Sequence, residues 1–455
     1  MSYNFVPCNR DQLFILPPDI REWVPGDHLV WFVLDLMDHI DQSGFYDGYR
    51  EDGKGNTAYD PSMMADLLVY SYCIGERSSR RIERLCGQDV AYRVITANHK
   101  PDHATIARFR RENGIALEKL FIEVLKLCKA AKMVKLGIVA LDGSKMAGNT
   151  SLTSNRTHDA LEEEVRKILQ ESEAIDAAED ARYGKNRRGD ELPEDLADRR
   201  SRLARLRECK ERLEREAQEV REDQQRKIDA RAQEEEETGR KKRGRKPRSA
   251  EKAVNEGTKA SVTDPDSRIM KTRSGFVQGY NAQAVATKEQ IIIAAQITQE
   301  ENDVNQLHPM LDNTLQTLKD AGISDTIDAM VCDAGYFSEA NLEACGEDSP
   351  DMFIATKKDW KQRKELKTQQ SPRGRIPAGL SLKDIMDRTL KTIRGRAIYA
   401  KRKTIIEPVF GQIKDCRKMR SFMMRGKNLV AAEWKLICAT HNILKLFRSG
   451  KLRFA

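Results

Sequence analysis

Through the first 130 residues, apolar positions recur three and four apart, the period of a helix with one buried face. Asp60-Pro-Ser-Met-Met-Ala-Asp-Leu-Leu-Val-Tyr predicts a helix capped by Asp60, with Pro61 in its first turn. Ser78-Ser-Arg-Arg-Ile-Glu-Arg-Leu predicts a second helix. Asp102-His-Ala-Thr-Ile-Ala-Arg-Phe-Arg-Arg predicts a third, capped by Asp102. The pattern then changes to a short apolar run, Gly137-Ile-Val-Ala-Leu-Asp142, which reads as a buried strand ending at Asp142. Strand signals stop there for over a hundred residues. Leu161, Val165, Ile168 and Ile175 form one helical stripe within 157–182. Leu196, Leu203, Leu206, Leu213, Ala217 and Val220 stand near heptad spacing within 195–230. The turn-rich Tyr183-Gly-Lys-Asn-Arg-Arg-Gly-Asp-Glu-Leu-Pro193 separates them, so the pair predicts a long antiparallel helical hairpin with a thin apolar seam.

Strand patterns resume with Phe276-Val-Gln-Gly-Tyr-Asn-Ala-Gln-Ala-Val-Ala286 and its hairpin partner Gln290-Ile-Ile-Ile-Ala-Ala-Gln-Ile-Thr298. Asn302 and Asp303 read as the cap of a helix to about residue 320. Strands follow at Ala329–Cys332 and Met352–Ala355, with a helix at Ser338–Cys345 between them. A basic loop containing Pro and Gly covers 357–380, and helices close the chain at 396–416 and 430–447.

Charge sharpens this picture through its distribution. The chain has 455 residues and a net charge of +8. Residues 156–248 hold 26 basic and 26 acidic side chains, whereas 401–455 hold 14 basic and 3 acidic. The C-terminal portion therefore suits a polyanion such as DNA. Gly239-Arg-Lys-Lys-Arg-Gly-Arg-Lys-Pro-Arg248 suits phosphate contact, or an extended AT-hook-like fit in a minor groove. The nine cysteines are scattered, odd in number and without a Cys-x-x-Cys pair, which argues against a zinc site or disulfide framework. With no secretory signal and no apolar run of membrane length, the expected location is cytoplasmic, associated with the nucleoid.

Three carboxylates stand out against this background. Asp142 and Asp333 each end an apolar run, and Glu407 lies in the helical tract Ile405-Ile-Glu-Pro-Val-Phe-Gly-Gln-Ile-Lys414. Carboxylates at strand ends converge at one sheet edge, and a third from a helix suits a hard divalent cation. With residues 156–257 set aside, the remaining order is three antiparallel strands, then alternating helices and parallel strands. That order resembles the RNase H-like fold, with the three acids at its characteristic places.

The chain is similar to the DDE transposases of bacterial insertion sequences. The tracts that carry the resemblance are Asp102-His-Ala-Thr-Ile-Ala-Arg-Phe-Arg, Leu141-Asp-Gly-Ser-Lys, Thr263-Asp-Pro-Asp-Ser-Arg-Ile-Met-Lys, Gly279-Tyr-Asn-Ala-Gln, Cys332-Asp-Ala-Gly-Tyr-Phe and Glu407-Pro-Val-Phe-Gly-Gln-Ile-Lys. The resemblance implies an α/β chain: an RNase H-like catalytic domain over 131–155 and 258–450, interrupted by the charged hairpin at 156–257. An all-α DNA-binding domain over 1–130 precedes it. It implies cleavage and strand transfer at the terminal inverted repeats of a mobile element, insertion into target DNA, and a homodimer or higher oligomer on DNA. Two Mg2+ ions, replaceable by Mn2+, would be held by Asp142, Asp333 and Glu407, with Asp142 bridging both.

Relatives carry Tyr-x2-Arg-x3-Glu-x6-Lys around the third acid. Here Lys414 stands at the matching distance, Tyr399 and Arg402 are one residue too far, and Lys403 holds the Arg position. At 100° per residue, Lys403 and Lys414 share the face of Glu407. Candidate DNA contacts are Lys145, Arg402, Lys403, Lys414, Arg108, Arg110, Arg111 and Trp360, the last as a stacking platform or a core side chain. The N-terminal arginines fit a helix-turn-helix or the solvated face of a plain bundle. The hairpin fits a spacer or an arm that touches DNA or a second protomer. A nuclease, a domesticated recombination factor and a non-enzymatic DNA-binding dimer are the alternative functions.

Overall fold

The computed structural model describes residues 19–49, 58–168, 170, 194–241, 247–254, 258–272, 275–346, 349–377 and 379–452. Ile175, the break at 183–193 and the middle of the basic tract, 242–246, lie outside the described residues.

The N-terminal helices begin where their start signals stand. Asp60 caps Pro61–Ile74 by accepting from the Ser62 N–H at 2.8 Å, and Gly75 ends that helix at φ 88°. Asp102 caps His103–Glu112 through the N–H groups of Ala104 and Thr105, at 2.9 and 3.0 Å. Leu29–Asp38, Ser79–Gln88, Val90–Ile95 and Gly114–Ala130 are also helical. Gly114–Ala130 and Pro61–Ile74 pack on the C-terminal helix Lys427–Ser449. One apolar core consequently runs from Val24 through the sheet to Leu446.

Asp66 sits on the buried side of Pro61–Ile74, with its Oδ1 lacking a hydrogen-bond partner among the described residues. Burial pushes its carboxyl up to about 7, and Asp38 and Asp60 add to the push. The folded chain thus holds a proton that the unfolded chain has lost. This contribution to stability is complete below the ordinary value of 3.8 and is lost as pH rises through about 7. Asp66→Asn removes the titration, so its urea midpoint should fall less than the parent's between about pH 5 and pH 8. Parallel midpoint curves for the two proteins would refute the linkage.

The main sheet is mixed. Its six strands are β1 (Ile138–Ala147), β4 (Arg268–Thr272), β5 (Gly275–Thr287), β6 (Ile292–Thr298), β7 (Ala329–Cys332) and β8 (Asp351–Ile354); β4 and β6 each pair with β5, and β1, β7 and β8 follow in that order. β5 is antiparallel to β1 and β6, whereas β7 is parallel to β1 and β8 to β7. Three strands escape the hydrophobic pattern: β4 of the main sheet, and β2 (Asn155–Thr157) and β3 (Lys259–Ser261), which form a separate pair. They are short and largely polar, so alternation does not mark them. The helix Leu307–Asp320 follows β6, and the C-terminal helix covers β6. Its Asn442 bonds both the N–H and the carbonyl of Ile292, at 2.9 and 2.8 Å.

The charged insertion leaves the fold through β2 and returns through β3, and these two strands pair. Its ends therefore meet, which lets a long segment interrupt the domain without displacing the sheet. The helix Glu194–Thr238 packs Leu206, Cys209 and Leu213 against Leu161, Val165 and Ile168. The predicted seam is shorter than its heptads suggest, since Val220 is 43% exposed. Arg212 anchors this helix to the core by donating to the carbonyls of Pro265, Ser267 and Lys259. Among the described residues, no helix is long and apolar enough to cross a membrane.

Candidate active site

β1 continues past Asp142 to Ala147, because β5 supplies a partner for every residue from Val139 onward. Asp142 thus lies mid-strand rather than at a strand end. It stands just beyond the place where β7 stops pairing, at Ala140↔Val331. Asp333 directly follows β7, as predicted, and its Oδ1 accepts from the Gly335 N–H at 2.8 Å. Burial pushes the Asp142 carboxyl up to about 7. Asp333 and Asp303 push the same way, while Arg402 and the Gly143 N–H oppose them. The two predicted strand carboxylates therefore lie within one another's field.

Glu407 comes to Asp142 through Arg402. The Arg402 Nη1 is 3.0 Å from Asp142 Oδ2, and its Nη2 is 3.3 Å from Glu407 Oε1. Arg402 is 7% exposed and Glu407 is 46% exposed, so the guanidinium lies beneath the outer carboxylate. The wheel position of Lys403 did not mark this contact: Arg402, one residue off that position, is the cation bonded to Glu407. The helix is broken: Arg402–Ile405 and Glu407–Gly411 are separate turns, and Gln412–Cys416 is a π-turn. Pro408 has no N–H for the Thr404 carbonyl four residues back. That carbonyl accepts instead from Gln290 Nε2 at 2.9 Å. Lys414, in the π-turn, donates to Ser144 Oγ and, at 3.0 Å, to the carbonyl of Lys145. Burial lowers its pKa.

A fourth carboxylate belongs to this region. Asp303 Oδ1 accepts from Asn281 Nδ2 and Gln283 Nε2, both at 2.7 Å, and Tyr336 OH donates to Gln283 Oε1. Asp303 makes no side-chain cap bond, contrary to the sequence expectation. Two glycines admit the acids. A Cβ at Gly143 would stand 2.8 Å from Asp303 Oδ1, and one at Gly335 would stand 2.9 Å from Asp333 Oδ1. The Gly279–Gln283 tract, read as a polar neighbour of the site, hinted at this network. Asp303 itself carried only the signal of a helix cap.

The candidate DNA contacts divide. Lys145 is three residues past Asp142 on an extended strand and so lies on the opposite face. Its Nζ donates to the Lys271 carbonyl at 2.9 Å and stands 3.5 Å from Glu301. Arg110 is buried and donates to Tyr72 OH, the Arg77 carbonyl and Ser79 Oγ. It braces helices and cannot reach DNA. Arg108 and Arg111 are exposed on the same helix. Trp360 lies on the helix Asp359–Thr368, within the expected loop, and is 60% exposed rather than part of the core. The same helix sends Arg363 and Lys367 to a cleft of about 400 Å³, which Arg396, Lys403 and Arg402 also line.

Among the described residues, no three His, Cys, Asp or Glu side chains already form a closed ligand set. Arg402 stands between Asp142 and Glu407. Residues 18–112 match the family described as Transposase domain (DUF772), and residues 248–443 match the Transposase DDE domain. The chain belongs to the DDE transposase family. This is a family of phosphoryl-transfer enzymes that act on DNA and generally use divalent metal ions. The mixed sheet is consistent with an RNase H-like DDE domain. Asp333 and Glu407 fall inside the DDE match, whereas Asp142 precedes it and is tied to the site by geometry. Comparison with curated proteins and with solved structures gives no match.

Proposed function

We propose that the chain binds the terminal inverted repeats of a mobile DNA element, cleaves at them and transfers the freed strands to target DNA. In this reading Asp142, Asp333 and Glu407 are the catalytic metal ligands of an RNase H-like domain. The arm interrupts that domain, and the N-terminal helices contribute to DNA binding. The protein acts as a homodimer or higher oligomer on DNA. The observation that carries the reading is the Arg402 guanidinium, which reaches Asp142 and Glu407 at once.

The donors fit a hard cation, because they are all carboxylate oxygens at the mouth of a basic surface. Two bound Mg2+ or Mn2+ ions would activate the attacking hydroxyl and stabilise the leaving oxygen. The chain's own residues do the remaining work. Asp142 is held on a strand that β5 pairs from Val139 to Ala147, with one oxygen fixed by the Gly143 N–H at 2.8 Å. Asn281 and Gln283 hold Asp303 beside Asp333. Lys414 is pinned to β1 as a positive charge near Asp142, and the Arg363–Lys403 cleft takes the DNA backbone.

The test is a linear duplex carrying the inverted repeats that border the coding sequence, incubated with the protein and Mg2+ or Mn2+. Cleavage at the repeat ends followed by joining to a second DNA is expected. Nicking without joining would identify a nuclease or recombination factor. Binding without cleavage in either metal would overturn the enzymatic reading.

A further inference from the structure

We propose that the base of the arm carries a second phosphate-binding site, which grips the backbone of bound DNA at a distance from the acidic centre. The inference rests on the reading of the chain as a DNA-binding transposase. A cleft of about 470 Å³ lies where the arm joins the core. Arg156, Arg202 and Arg205 line it together with Glu164, while Thr263 and Arg425 face them from the core side.

Four guanidinium groups here meet one carboxylate. Glu164 stands 3.7 Å from Arg156 and also pairs with Arg202. Arg425 is exposed and is steadied by one bond, Nε to the Asn149 carbonyl at 2.9 Å. The Nε of Arg205 is buried with no hydrogen-bond partner among the described residues. A buried guanidinium N–H left unpaired is costly. Phosphate oxygens suit it, because they accept the planar guanidinium fork with charge-assisted bonds.

The position favours a nucleic-acid backbone over a small anion. Asn149 follows β1, the strand that carries Asp142, and its side chain bonds the Met423 carbonyl at 2.8 Å. Seven residues of extended chain span at most roughly 25 Å, less than one turn of duplex DNA. A duplex seated at the acids can therefore reach the cleft. The site is also pre-organised, since β2–β3 pairing and Arg212 fix the base of the arm to the core.

The test uses the full chain, a fluorescein-labelled mixed-sequence duplex of about 40 base pairs, and anisotropy titrations across a range of KCl. Arg205→Gln with Arg425→Gln should weaken binding roughly 10-fold and make the slope of log affinity against log salt shallower by about 2. Unchanged affinity and slope would overturn the proposal. If circular dichroism shows that the double variant has lost helix, Arg425→Gln alone decides: it leaves the arm untouched and should lower the slope by about 1. An unchanged slope in that variant overturns the proposal too. Inorganic phosphate as the sole ligand would behave differently: it would raise the melting temperature of the parent alone, with DNA affinity equal in parent and variant, and that result also overturns the assignment. A parent chain that fails to bind any duplex would bring down the transposase reading itself. A parent that binds, with variants that bind equally, removes only this site.

Discussion

Asp142→Asn is expected to lower DNA cleavage by at least about 1,000-fold while leaving duplex affinity within about twofold. The substitution keeps the side chain's shape on a strand paired with β5 from Val139 to Ala147. It removes the negative charge that a divalent ion held there would need, a contribution worth several kcal/mol of barrier. Asp333→Asn and Glu407→Gln should behave alike, because Asp333 lies within the field of Asp142 and Glu407 shares Arg402 with it. Lys145→Gln provides the contrast. Its side chain is turned to the other face of β1, toward Lys271 and Glu301, so cleavage should stay near the parent rate. Rates would be read from a labelled repeat-end substrate and affinities from anisotropy on the same duplex. A variant of any of the three acids that still cleaves at the parent rate would remove that residue from the site.

Glu433→Ala should destabilise the fold by about 3–5 kcal/mol, read as a fall in the urea midpoint with unchanged slope. Glu433 is 1% exposed on the C-terminal helix. Its carboxylate accepts from Tyr72 OH at 2.9 Å and from the N–H groups of Met423 and Met424, at 2.8 and 2.9 Å. Arg110 in turn donates to Tyr72 OH at 3.2 Å. Truncation leaves two backbone donors and a hydroxyl buried without an acceptor, and removes the charge that faces the Arg110 guanidinium. Glu433→Gln keeps the shape and one carbonyl acceptor, so its loss should be smaller. Arg110→Ala acts on the same chain of bonds, so its effect combined with Glu433→Ala should fall short of the sum. A loss below about 1 kcal/mol for Glu433→Ala would show that this chain does not hold the N-terminal helices to the C-terminal helix.

How much could be read from the residues differs from element to element. The starts of Pro61–Ile74 and His103–Glu112 were legible because a cap is a local bond between a side chain and an N–H two or three residues on. β7 was legible because its four buried residues form an uninterrupted apolar run. β2 and β3 were not, since each is three residues long and held by a partner about a hundred residues away, and β4 was not, since its short Arg-Ile-Met-Lys-Thr run is too polar to mark a strand. The extension of β1 beyond Asp142 was hidden for the same reason: Gly143-Ser-Lys carries no strand pattern, and β5 supplies the pairing. In the site, Asp142, Asp333 and Glu407 stood out through their tracts. Asp303 did not, because an Asp before a helix has an ordinary local explanation.

The sequence by itself determined the starts of the capped helices, the apolar strands and the three acids worth bringing together. These follow from periodicity, capping and charge, which act over a few residues. Only the tertiary structure decided which side chains share the site and which do not. Arg402 bonds Glu407 from beneath, where the two short helical turns around Ile406 bury its guanidinium against Asp142. Lys145 turns away because strand register alternates faces, and Arg110 disappears between helices that find each other only in the folded chain. Register, helix breaks and burial depend on partners far away along the chain, so no local pattern of residues can specify them.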